Sequence, residues 1–72
     1  MISSFEMIEV NKTVNMIFSG LYVAPKKQLI IPVSQIEADR IMAAAIERIE
    51  LEEKQQAVVE HIGNEVILTL IS

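Results

Sequence analysis

The chain has 72 residues, 51% of them apolar, with 10 acidic and 6 basic side chains and a formal net charge of −4 at pH 7. That length holds a single small domain, residues 1–72, since typical domains run to roughly 100 to 150 residues. The apolar content excludes a disordered, hydrophobe-poor tail, and the lack of cysteine excludes a disulfide framework.

In chain order, Phe5 to Val10 alternates loosely, with Phe5, Met7 and Glu9 on one side and Glu6, Ile8 and Val10 on the other, which predicts a short strand. Asn11-Lys12 offers a tight turn. Thr13 to Val23 is rich in β-branched and aromatic residues and predicts a second strand, with a bulge or bend at Gly20 where the large apolar residues change sides. Ala24-Pro25-Lys26-Lys27 is a turn with proline presetting φ, leading into a third strand, Gln28 to Val33. Pro32 cannot donate to a ladder, so that strand is expected at a sheet edge or to end there.

Ser34-Gln35-Ile36-Glu37 matches a capping box and predicts a long helix starting at Gln35. It is expected to end at His61 or Ile62, with Gly63 as the left-handed residue beyond it and His61 close to the last carbonyls. Asn64 to Ile71 is then a final strand. The predicted fold is α+β, β-β-β-α-β: a small antiparallel sheet of three to four strands with one long helix, completed by dimerisation.

The apolar stripe of that helix changes face. Ala38, Met42, Ala45, Ile46 and Ile49 share one side of the first half, whereas Leu51, Val58 and Ile62 lie nearly opposite in the second. Either the helix breaks between Glu50 and Lys54, or it runs straight for about 27 residues, roughly 40 Å, with its halves packed on different bodies. The straight helix is the preferred reading. A chain this short hides only about 60% of the surface its unfolded form exposes, so Leu51, Val58, Val59 and Ile62 are assigned to a homodimer interface.

Between Ser34 and Ile62, Glu37, Asp39, Glu47, Glu50, Glu52, Glu53 and Glu60 outweigh Arg40, Arg48 and Lys54, placing the whole net charge on the predicted helix. Glu47, Glu50 and Glu53 are candidates for a surface that meets a partner protein, with Lys26 and Lys27 as a second candidate surface. Glu50/Lys54 and Arg48/Glu52 are spaced for i,i+4 pairing.

Catalytic constellations do not emerge from the sequence. The single histidine, His61, adjoins Glu60 without HExxH spacing, and Gly20 and Gly63 stand alone rather than in a phosphate-binding loop. No catalytic residue, metal ligand or cofactor is assigned. Nor does the chain carry the basic footprint that nucleic acid demands, beyond the Lys26-Lys27 tip. No segment reaches the roughly 20 apolar residues of a membrane span, and the expected location is the cytoplasm.

The stretch KQLIIPVSQIEAD resembles the GRVVIP-type segment of the swapped-hairpin AbrB family of transcription factors and antitoxins, and NEVILTLI resembles that family's closing strand. The resemblance rests on Ile31-Pro32 followed by a helix start and implies DNA binding by the N-terminal strands. Those strands carry arginines in the family, where this chain has Lys12, Lys26 and Lys27, and the predicted helix is much longer; no family is assigned.

The reading that results is a non-enzymatic protein–protein interaction module acting as an acidic homodimer, of the kind found among phage and mobile-element regulators or inhibitors. The alternatives are a nucleic-acid-binding regulator using Lys26 and Lys27, and a small-ligand binder at a dimer interface lined by Tyr22 and one of those lysines.

Overall fold

A 20-residue helix, α1 (Ser4–Val23), opens the fold in the computed structural model, which describes residues 4–71. A tight turn, Pro25–Lys27, leads into β1 (Gln28–Pro32). Two consecutive helices follow, α2 (Val33–Ala38) and α3 (Arg40–Glu52), and then a hairpin of β2 (Ala57–Ile62) and β3 (Glu65–Leu70). The sheet is antiparallel in the order β1-β3-β2, and α1 and α3 pack side by side on one of its faces. The fold class is therefore α+β with a three-stranded antiparallel sheet, but a helix comes first.

The two predicted N-terminal strands are corrected to one helix. Val10, Val14, Ile17 and Leu21 recur at helical spacing, and all four are buried. Nothing between Ser4 and Ser19 breaks a helix: the Thr13 hydroxyl turns back to the Glu9 carbonyl at 2.9 Å, and Asn11, expected in a turn, accepts from Arg48 of α3. Gly20 makes no bulge. It lies in the helix where α1 crosses β1, and a Cβ there would stand 3.4 Å from Leu29 Cδ1.

The predicted 27-residue helix is also corrected. It is interrupted at Asp39, whose backbone is extended (φ −131°, ψ 101°) and whose carboxylate caps α3 by accepting from the Ile41 and Met42 amides. The expected cap at Ser34 is absent. Helix α2 begins two residues earlier than predicted, at Val33, whose amide donates to the Asn64 carbonyl at 2.8 Å. Helix α3 stops at Glu52, inside the segment where the stripe changes face, and the chain continues as a strand rather than a second helix.

The net charge is accordingly spread over α2, α3, the following loop and β2. His61 and Gly63 do not end a helix. His61 lies on β2, and Gly63 (φ +58°) with Asn64 forms the two-residue loop that joins Ile62 to its register partner Glu65.

The β1 and β3 strands stand within a residue of where the sequence predicts them, and β1 is an edge strand that tolerates Pro32. Their alternation fills the core: Val66 and Leu68 are buried beneath Leu21, Ala45 and Ile49, with Leu29, Ile31 and Val59 packed around them. Each fully buried large aliphatic side chain contributes about 1.5 to 3 kcal/mol relative to exposure. Across the two helices, Arg40 of α3 forks onto the Glu6 carboxylate of α1, with Nε donating at 3.1 Å.

Candidate functional site

Helix α3 buries Ala45, Ile46 and Ile49 and turns Glu47, Glu50 and Leu51 outward. Leu51 keeps 65% of its surface exposed. Beside it, α2 contributes Ile36 and the hairpin contributes His61 and Val66, enclosing an open groove of about 410 Å³ whose wall is completed by Ala43 and Ile46. The floor is apolar and two carboxylates stand on the rim. Glu50 is held there by His61, with 3.1 Å between Oε2 and Nε2.

His61 reaches Glu50 because the two-residue hairpin loop sets the β2 register. With Ala57 and Val59 on the core side, the strand period of two sends His61 to that same side at the end of the strand. The i,i+3 spacing of Glu47 and Glu50 then puts both carboxylates on the flank of α3 that faces it.

The groove gathers Glu47, Glu50 and Leu51 from the residues singled out in the sequence. The others lie elsewhere. Glu53 follows the end of α3 and accepts from the Gln56 side chain at 2.5 Å. Val59 packs against the core, whereas Val58 and Ile62 occupy the opposite face of the sheet, so the four residues assigned to a homodimer interface, Leu51, Val58, Val59 and Ile62, are divided among three surroundings. Lys26 and Lys27 sit in the turn before β1, both at positive φ (57° and 55°), and the Lys27 ammonium folds back onto the Tyr22 carbonyl at 2.5 Å. Arg48 and Glu52 pair at 3.9 Å as their spacing suggests, while Glu50 meets His61 instead of Lys54.

Ile36, Ala43, His61 and Val66 complete the groove and were not singled out in the sequence for this role. The available signal was Gly63-Asn64 between two segments rich in β-branched and other apolar residues, AVVEHI and EVILTL, which marks a hairpin and would have turned His61 toward α3.

Behind the helices, the outer sheet face carries three cross-strand rows: Gln28, Thr69 and Val58; Ile30, Ile67 and Glu60; Pro32, Glu65 and Ile62. Ile30, Val58 and Ile62 are exposed there, and the charged members, Glu60 and Glu65, are both acidic.

Among the described residues, no group of three or more His, Cys, Asp or Glu side chains could hold a metal ion. No helix among them is long and apolar enough to cross a membrane. The N-terminal strands implied by the swapped-hairpin resemblance are replaced by α1. Comparison with protein-family models, curated proteins and solved structures found no match.

Proposed function

We propose that this chain is a non-enzymatic binding module that takes up a basic, partly apolar segment of another protein in the groove between α3, α2 and the hairpin. The observation that carries this reading is Leu51, exposed above an apolar floor and flanked by the Glu47 and Glu50 carboxylates. An apolar anchor on the partner would cover Leu51, Ile36 and Ala43, and a neighbouring lysine or arginine would meet the two carboxylates. Such charge pairs at the rim set specificity and association rate more than raw affinity. A regulator or inhibitor acting by occupancy requires nothing further of the chain.

A titration followed by amide chemical shifts tests the reading, using a 12-residue peptide of alternating leucine and lysine and, as control, one of leucine and glutamate. The lysine peptide is expected to shift Ile36, Ala43, Glu47, Leu51 and His61, to weaken as salt rises, and to lose at least about tenfold in affinity with Glu47→Lys/Glu50→Lys. Equal binding of the glutamate peptide, or shifts confined to other surfaces, would overturn it. A gel shift with DNA or RNA that depends on Lys26 and Lys27 would favour the nucleic-acid reading instead.

A further inference from the structure

Helix α1 is apolar on both sides. Its inner stripe of Val10, Val14, Ile17 and Leu21 fills the core, yet Phe5, Ile8, Met16, Tyr22 and Val23 stay exposed, Val23 by 85%, Phe5 by 73% and Met16 by 71%. A helix that is hydrophobic all round is ordinarily covered on all sides. On the outward side Phe5, Ile8, Lys12, Asn15, Ser19 and Tyr22 stand at alternating three- and four-residue spacings, the geometry of a two-helix seam with apolar ends and a polar centre, with Met16 and Val23 flanking it.

We infer that a second copy of this chain covers this face, the two α1 helices pairing antiparallel about a two-fold axis near Lys12 to Asn15. The order of residues is self-complementary in that arrangement. Phe5 meets the partner's Tyr22 at both ends, Ile8 meets the partner's Ser19, and Lys12 meets the partner's Asn15 at the centre, where the amide oxygen accepts from the ammonium. The seam's single charge never faces itself. Roughly 600 Å² per copy remains uncovered on Phe5, Ile8, Met16, Tyr22 and Val23, the lower end of the roughly 600 to 1,000 Å² per partner that specific interfaces bury.

The outer sheet face does not suit a second copy in the same way. Its charged residues are Glu60 and Glu65, so stacking it on itself would bring carboxylates together with no cation on that face. The pairing also involves none of the groove residues, so it stands or falls separately from the binding reading.

Sedimentation equilibrium of the full chain at about 50 μM is expected to give twice the 8.1 kDa of one chain. Phe5→Glu/Met16→Glu is expected to return it to a monomer with unchanged far-ultraviolet circular dichroism, since both positions are exposed within one chain. Because the chain has no cysteine, orientation is tested by mixing Ile8→Cys chains with Ser19→Cys chains under mild oxidation. Disulfide-linked pairs are expected in the mixture and not from either variant alone. A wild-type monomer at this concentration, a dimer that survives the double glutamate variant, or cross-links formed by Ile8→Cys alone would overturn the pairing.

Discussion

The side-chain oxygen of Asp39 accepts the backbone amide of Met42 at 3.2 Å while also accepting that of Ile41 at 3.0 Å. This capping contact separates α2 from α3 and lets the shorter helix turn away toward the hairpin loop, where Val33 reaches Asn64.

Removing the cap tests its weight. Asp39→Ala is expected to lower stability by about 1 kcal/mol, and Asp39→Asn to retain most of it, because either side chain can accept the two amides. Urea midpoints of the three proteins measure the difference; an alanine variant that keeps the wild-type midpoint would show that the cap contributes nothing.

Leu68 and Leu51 are the same residue type in opposite surroundings, the first with no exposed surface and the second 65% exposed. Leu68→Ala should cost about 2 to 5 kcal/mol through lost contacts and the cavity left behind, enough to unfold much of a domain this small. Leu51→Ala should stay within about 0.5 kcal/mol of wild type while weakening peptide binding in the groove. Thermal melts and the peptide titration together separate the two effects.

At Gly20, an added Cβ would stand 3.4 Å from Leu29 Cδ1, at the near edge of ordinary contact. Gly20→Ala is therefore expected to stabilise the protein by up to about 1 kcal/mol, the helix-propensity gain of alanine over glycine. Gly20→Leu should reverse the sign, since its further atoms have to enter the α1–β1 contact. Opposite shifts in melting temperature for the two variants would establish the crossing as close-packed.

Gly63 has ample space, with no atom within 4 Å of an added Cβ, but its φ is +58°. A substitution there meets only backbone strain. Gly63→Ala is expected to cost about 1 to 2 kcal/mol and Gly63→Asn distinctly less, because asparagine visits the left-handed region more readily. Equal losses for both would point to a contact in the hairpin loop rather than to φ.

Local chemistry made much of the chain legible. Pro25 marked the turn, Pro32 placed β1 at an edge, and the run from Asn64 to Ile71 read as a strand, within which Val66 and Leu68 turn out to be buried. The segment from Glu50 to Lys54 signalled that the apolar stripe changes partners there, and α3 does end within it. In α1 and β2 the same kind of reasoning chose the wrong period. Val10, Val14, Ile17 and Leu21 already stood at helical spacing, but β-branched and aromatic neighbours concealed them. In β2, Val58 and Ile62 fit a helix as well as they fit the outer face of a strand, since both faces of that strand carry apolar residues.

The groove was legible only in part for the same reason. Glu47, Glu50 and Leu51 are neighbours on one helix, and spacing alone brings them together. His61 and Val66 reach them through a hairpin whose register is a pairing between strands, and Ile36 arrives because Asp39 breaks the helix.

By itself the sequence determined a small α+β chain rich in apolar residues and without cysteine. Tertiary structure alone decided which of those apolar residues stay exposed. Once Leu21, Ile49 and Leu68 met in one core, the opposite sides of α1 and of the sheet had no second layer within the chain, because a two-layer fold buries only the faces that meet.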